Sequence, residues 1–276
     1  MPLTARQRVA VGDWFPAAEV VADLSWGQID TTVLHVRTAA GDVIVKAGGP
    51  GNHHVAREIA AHRSVTAPWL AMGRIGRLLA ADDSLNVLAV EFLPGGLIDA
   101  TEAALDADVH RQAGHLLAAL HAQASRLDDD YERRLDATAL ARLDAPHRIA
   151  ADVEAEARSR IAAHEHPPAV LVPTHGDWQP RNWLLHEGAV FVIDLGRAEW
   201  RPALTDLARL ASQQWVGRPD LEAAFLDGYG ADPREPAAWR RSQLREAIGT
   251  AVWAYQVGDE SFEQQGHRML AAALDG

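Results

Sequence analysis

Three oxygen-bearing side chains fall within a span of 18 residues: Asp177 and Asn182 in the stretch THGDWQPRNW, and Asp194 in VFVIDLG. Apolar runs flank the first stretch, AVLV before it and WLL after it, and the second is itself an apolar run ending in a carboxylate. Asn and Asp at strand ends are hard oxygen ligands of the kind Mg²⁺ accepts, with water and phosphate oxygens completing its shell. With Asn182 and Asp194 on a metal, Asp177 is left on the adjoining loop. There it can orient a hydroxyl and accept its proton as phosphorus is attacked.

Two residues far upstream suit the same chemistry. Lys46 ends the strand-like run VIVK, where its ammonium can reach phosphate oxygens. Glu58 lies on a helical stripe beside Val55 and Ile59. A lysine and an acid close in sequence usually make only a solvated pair. Here the lysine belongs to a strand and the acid to the one helix of that region, and both are matched by the downstream oxygen set.

The elements that must position these residues change in style near residue 95. Before it come short apolar or alternating runs, VVADLSW, TTVLHVRTA, GDVIVKAGG, RIGRLLAADDS and LNVLAVEFL, broken by turn signals such as Ala40-Gly41-Asp42. One helix, from Asn52 to Val65, interrupts them between the third and fourth strands. Beyond Pro94-Gly95-Gly96 the pattern is helical. Val109, Ala113, Leu116, Leu117 and Leu120 make one stripe, and Leu244, Ile248, Val252 and Tyr255 another. The sequence therefore predicts an α+β chain with a β-rich lobe over 1–94 and a larger helical lobe over 95–276, the latter carrying a hairpin around the opening motif.

Composition narrows the possible functions. The 276 residues include no cysteine, which excludes a thiol nucleophile and thiolate metal sites and agrees with a reducing cytoplasm. No segment has the apolar length of a signal peptide or a membrane span, so a soluble cytoplasmic protein with no membrane partner is expected. With 26 Lys and Arg against 38 acids, the net charge of -12 argues against a nucleic-acid surface and suits a cationic small molecule. The 13 histidines include His53-His54 and His164-Glu165-His166, neither at the helical i, i+4 spacing of a metal pair, and no transition-metal site is expected.

Taken together, HGDWQPRN, IDLG, Lys46 and Glu58 resemble the aminoglycoside phosphotransferase and choline kinase branch of the protein-kinase-like superfamily. The resemblance runs from about Val20 to the last helix. It implies a two-lobe kinase-like fold with an antiparallel sheet in the first lobe, and an ATP- or GTP-dependent, Mg²⁺-dependent phosphotransferase. By position Asp177 resembles the catalytic base, Asn182 and Asp194 the magnesium ligands, Lys46 the lysine on the α and β phosphates, and Glu58 its ion-pair partner. The resemblance also implies a purine-contacting main chain at Glu91 to Leu93, a loop-supporting role for His175 and a bracing acid at Asp206. Gly176 stands where protein kinases place an arginine, and no activation-loop insert follows Asp194. Both features favour a small-molecule acceptor over a protein.

The chain departs from that pattern at the nucleotide loop, LSWGQIDTT, where Gly27 is the only glycine. Thr31 and Thr32 are the candidates to cover the phosphates with it. Trp178 and Trp183 either line a cleft or serve packing. For the acceptor, Glu199, Trp200, Trp253, Asp259 and Glu260 offer carboxylates for ammonium groups and aromatic faces for a quaternary amine. An antibiotic, either an aminoglycoside or a basic peptide, is the expected acceptor. An amino sugar or choline-like alcohol, a protein substrate, or a silent nucleotide-binding module are the alternatives.

Overall fold

The computed structural model describes residues 3–25 and 30–275. In chain order its first elements are α1 (Ala5–Trp14), β1 (Glu19–Asp23), β2 (Thr31–Thr38), β3 (Gly41–Gly48), α2 (His53–Ser64), α3 (Ala67–Ala71), β4 (Leu78–Asp82), β5 (Val87–Glu91), β6 (Gly96–Leu97) and α4 (Ala107–His121). There follow β7 (Arg126–Asp128), α5 (Tyr131–Leu143), α6 (Ala151–Ala162), β8 (Ala169–Thr174), β9 (Trp183–His186), β10 (Ala189–Val192), β11 (Glu199–Arg201), α7 (Ala208–Ser212), α8 (Pro219–Tyr229), α9 (Pro236–Val257) and α10 (Glu260–Asp275). They group into two compact units. One comprises residues up to Gln123 with Pro173–Trp200 and Gly217–Gly230; the other comprises Ala124–Val172, Arg201–Val216 and Ala231–Gly276.

The first unit contains an antiparallel five-stranded sheet in the order β1-β2-β3-β5-β4. Side chains alternate across a strand, so each strand feeds two layers. Leu34, Val36, Val43, Val45 and Ala47 point to one layer, where Leu3 and Val11 from the α1 segment cover them. Ile44, Leu88 and Val90 point to the other, against Val55 and Ile59 of α2. A strand covered on both faces needs an unbroken apolar run, and β5 supplies one in Val87-Leu88-Ala89-Val90, all buried.

Helix α1 was not legible in the sequence, and its start is built from a capping box. Thr4 Oγ1 accepts from the Gln7 amide while Gln7 Oε1 accepts from the Thr4 amide. The Gln7 side-chain amide then donates to Gly48 O at 3.0 Å and Leu85 O at 2.8 Å, fastening the helix to β3 and to the turn before β5.

Further along the same unit, α4 lies against α8 with two glycines at the contact. A Cβ on Gly114 would stand 2.1 Å from Phe225 O, and one on Gly228 would stand 1.9 Å from Arg111 O. Strands β9 and β10 form a hairpin closed by Glu187-Gly188, both at positive φ, as a two-residue primed turn requires. The 94/95 junction expected from sequence lies inside this unit, where β6 just past it pairs with β9 of the hairpin.

The second unit is helical. Ala139 and Leu143 of α5, Ala157 and Ile161 of α6, Ile248 and Val252 of α9 and Leu270 of α10 form its core. A buried charge cluster joins α5 to α9: Arg245 Nε donates to Asp136 at 2.7 Å, and Arg241 and Arg245 both donate to Glu132 Oε2. His164 and His166, from the HEH stretch, both close on Asp136. Those histidines therefore complete a packing network, and among the described residues no group of three or more His, Asp and Glu is arranged to hold a metal. No helix among them is long and apolar enough to cross a membrane.

Candidate active site

The strand parity that places Ile44 in the α2 layer places Lys46 there as well. Glu58 occupies the same helical stripe as Val55 and Ile59 and is 3% exposed. The two side chains meet: Lys46 Nζ donates to Glu58 Oε1 at 2.7 Å and Oε2 at 2.9 Å. Lys46 Nζ also lies 3.8 Å from Asp194 Oδ1. Burial alone would lower the lysine pKa, but the charges of Glu58 and Asp194 and the hydrogen bond to Glu58 raise it, so the group is an ammonium. In turn the Lys46 charge outweighs burial at Asp194 and lowers its pKa, keeping the carboxylate ionised.

The loop carrying Asp177 leaves β8 and is held from beneath by His175, which is fully buried. His175 Nε2 stands 3.1 Å from Ile193 O, and its Nδ1 accepts from the Asp177 amide at 3.3 Å. One tautomer, with the proton on Nε2, satisfies both contacts. Trp178 and Trp183 are buried completely. Trp178 stacks on Trp69 at 5.8 Å and meets Trp183 edge-on at 5.6 Å, so both indoles pack the loop onto the core and neither lines a cleft. Gly176, at φ 79°, adopts the left-handed turn between these supports.

Asn182 ends a short 3-10 turn, Pro180–Asn182, and its side-chain amide donates to Asp177 O at 2.7 Å and Asp177 Oδ2 at 3.1 Å. The Ile193 amide donates to Asn182 O at 3.1 Å, which ties this turn to the strand end next to Asp194. Asp194 itself has φ 65°, and its Oδ1 accepts from the Gly196 amide at 3.1 Å. With its NH₂ turned onto Asp177, Asn182 directs its amide oxygen elsewhere. That oxygen and the Asp194 carboxylate are both hard oxygen donors, the kind of ligand chemistry that suits Mg²⁺, which takes few protein ligands and completes its octahedron with phosphate and water oxygens.

Two contacts here had been missed. Gln179 Nε2 donates to Asp177 Oδ1 at 2.5 Å and Arg181 Nη2 donates to Asp177 Oδ2 at 2.6 Å. The signal available was an Asp and an Arg four residues apart in a tight turn. His54, at the start of α2, places Nδ1 2.9 Å from Gly196 O and so joins the helix bearing Glu58 to the turn bearing Asp194.

The other expected site residues are dispersed. Thr31 Oγ1 accepts from Asn52 Nδ2 at 2.7 Å, Thr32 is buried, and Gly27 lies outside the described residues. The Glu91 carboxylate pairs with Arg77, and the Glu91 amide donates to Arg77 O, while Leu93 follows just beyond β5. Glu199 and Trp200 lie on β11, and Glu199 O accepts from Thr174 Oγ1 at 2.7 Å.

The remaining four are in the second unit. Asp206 is buried in the turn Ala203–Leu207. Trp253 is exposed on α9 and meets Phe262 edge-on at 5.8 Å. Asp259 accepts from the Phe262 amide at the start of α10, a helix-capping contact, and Glu260 beside it is exposed.

The Lys46–Glu58 pair, Asp194 beside it and the His175-braced Asp177 loop lie in one compact unit. Residues 20–242 match the model of the phosphotransferase enzyme family APH, and the chain belongs to that family; it is a small-molecule phosphotransferase. No curated protein sequence matches it.

Solved structures share its fold. Choline kinase LicA from Streptococcus pneumoniae superposes with a TM-score of 0.67 at 15% identity, covering 97% of this chain and 100% of the other. A thermostable mutant of aminoglycoside phosphotransferase APH(4)-Ia, in ternary complex with ADP and hygromycin B, gives 0.65 at 13% identity over 97% of each chain. Macrolide 2'-phosphotransferase MphH from Brachybacterium faecium gives 0.58 at 19% identity over 92% and 91%.

Proposed function

We propose that the protein transfers the γ-phosphoryl group of ATP or GTP to a hydroxyl of a small cationic molecule. The preferred acceptor is an aminoglycoside or basic peptide antibiotic, and the reaction confers resistance in the cytoplasm. The observation that carries this reading is the Lys46–Glu58 ion pair standing 3.8 Å from Asp194, in the same compact unit as the Asp177 loop. Residues 1–94 serve as the nucleotide-binding lobe and 95–276 carry the acceptor site.

In this scheme Lys46 binds the α and β phosphates, and Glu58 keeps its ammonium aimed. Asn182 and Asp194 hold Mg²⁺, which when bound neutralises charge on the transferring phosphoryl group. Asp177 aligns the acceptor hydroxyl: its oxygen bonds to the γ phosphorus, the bridging oxygen leaves on the nucleoside diphosphate, and the hydroxyl proton passes to the carboxylate. The Glu91 amide is committed to Arg77 O, so donation to the purine edge falls to Leu93. Thr31 and Thr32 lie at the phosphate end of β2.

The large acidic excess, -12, favours a cationic acceptor, and Glu199 and Trp200, in the same compact unit as Asp177, are the residues proposed to receive it. A second reading, a kinase for a choline-like alcohol or amino sugar, is favoured by exposed Trp253, half of whose surface (52%) is open beside Phe262 for a quaternary ammonium.

A coupled nucleotide-consumption screen over aminoglycosides, basic cyclic peptides, amino sugars and choline-like alcohols separates the two readings. With the acceptor found, Asp177→Ala should lower kcat by about 10² to 10⁴ and leave nucleotide affinity nearly intact, the usual range for a general base. Near-normal turnover in that variant removes Asp177 from the role.

A further inference from the structure

Asp177 is gripped on both carboxylate oxygens by its own loop. Gln179 Nε2 lies 2.5 Å from Oδ1, and Arg181 Nη2 lies 2.6 Å from Oδ2, with Asn182 Nδ2 on the same oxygen at 3.1 Å. Three donors that differ in direction fix the rotation of the carboxylate about its Cβ–Cγ bond, which a single donor would leave free. The guanidinium is the one charged member. It is also the one that Pro180 helps to place, because proline opens the 3-10 turn in which Arg181 sits, and its fixed φ narrows the approach.

Arg181 also changes the charge of the site. Glu58, Asp177 and Asp194 bring three carboxylates to a place meant for a polyanion. Lys46 pairs with Glu58 and approaches Asp194, and Arg181 pairs with Asp177. The side chain of Asp177 is 6% exposed, so an unpaired charge there would be costly, whereas that of Arg181 is 33% exposed and can hold the pair from the solvent side.

We propose that Arg181 is a positioning residue for the phosphoryl transfer: it holds the Asp177 carboxylate in one rotation, so that the acceptor oxygen meets an aligned base. This rests on the reading of Asp177 as that base, and the test separates the two. Arg181 acts through Asp177, so it contributes nothing once Asp177 is gone. That is a statement about coupling, which a double-mutant cycle measures directly.

The assay is MgATP hydrolysis with water as the acceptor, read as kcat and KM for wild type, Arg181→Met, Arg181→Lys, Asp177→Asn and the Arg181→Met/Asp177→Asn double variant, with melting temperatures alongside. Arg181→Met should lose about 10- to 100-fold in kcat, with KM for MgATP within about twofold of wild type, the signature of an interaction spent on the chemical step. Arg181→Lys, which keeps the charge but not the fork, should recover part of the loss. The double variant should be no slower than Asp177→Asn alone.

Multiplied losses in the double variant, or an unchanged kcat in Arg181→Met, overturn the proposal while leaving Asp177 as the base. Near-normal hydrolysis by Asp177→Asn, or no hydrolysis by the wild type, overturns the base assignment and this proposal with it. Should Arg181→Met fail to fold, Arg181→Lys carries the test alone: a kcat equal to wild type would sink it.

Discussion

Lys46 Nζ donates to both carboxylate oxygens of Glu58, at 2.7 and 2.9 Å, and the Glu58 side chain is nearly inaccessible to solvent. Such a pair stabilises only while both charges are present, since a lone buried ammonium has lost its water without compensation.

Glu58→Gln is therefore expected to cost about 3 kcal/mol of folding stability, the lower end for a broken buried pair because Asp194 remains 3.8 Å away. It should also weaken MgATP binding by about tenfold, the equivalent of roughly 1.4 kcal/mol of lost alignment of Lys46. Calorimetric titration and a urea melt check the two numbers. Full nucleotide affinity in the variant would separate the pair from nucleotide binding.

At Asp194 the informative substitution is Asn. The residue has φ 65°, a region that Asn and Asp enter more cheaply than Ala, so Asp194→Asn removes the charge without adding backbone strain. Magnesium-dependent nucleotide binding should vanish. An Mg²⁺ titration matching that of the wild type would show that the metal is held elsewhere.

Gly228 can be tested through stability alone. A methyl group there would stand 1.9 Å from Arg111 O, and backbone cannot swing aside as a side chain can. Gly228→Ala should destabilise by about 3 kcal/mol, the upper end of ordinary overpacking, as α4 and α8 are forced apart. An unchanged urea midpoint would contradict the close helix contact.

His62 sets an acid limb of the stability curve. Burial, and then the Lys46 charge, push its pKa from 6.5 down to about 4, and its Nδ1 has no partner among the described residues. The folded chain therefore favours neutral His62, while the unfolded chain takes up a proton below about pH 6.5. Stability from this group is complete above that value and is lost as pH falls toward 4, by about 3 kcal/mol in all. His62→Phe, neutral at every pH, should flatten that part of the profile. A variant whose melting temperature falls between pH 7 and pH 4.5 as steeply as the wild type's would refute the assignment.

The parts of this molecule readable from sequence are those governed by short periodicities. Alternation in TTVLHVRT and GDVIVKAG fixed which side chains share a face, and with it the meeting of Lys46 and Glu58. The HGDWQPRN stretch was legible because its residue types and spacing have few other uses. What escaped depends on partners far along the chain. Helix α1 has Val9 exposed and Val11 buried, too weak a pattern to betray a helix that is secured by Gln7 reaching Gly48 and Leu85. Nothing local distinguishes Gly114 and Gly228 from flexible-loop glycines until α4 and α8 are brought together. Whether Trp178 and Trp183 faced a cleft or the interior was undecidable before Trp69 was known to lie beneath them.

The family match begins at residue 20, whereas Leu3, Gln7 and Val11 already belong to the folded body. A cloning boundary drawn at the homologous border would strip the sheet of its cover on the side opposite Glu58. Leu34, Val36, Val43 and Val45 would be left wet, and two carbonyls would be without their donor. A truncated product of that kind invites aggregation for reasons unrelated to its chemistry, and its inactivity would say nothing about phosphate transfer.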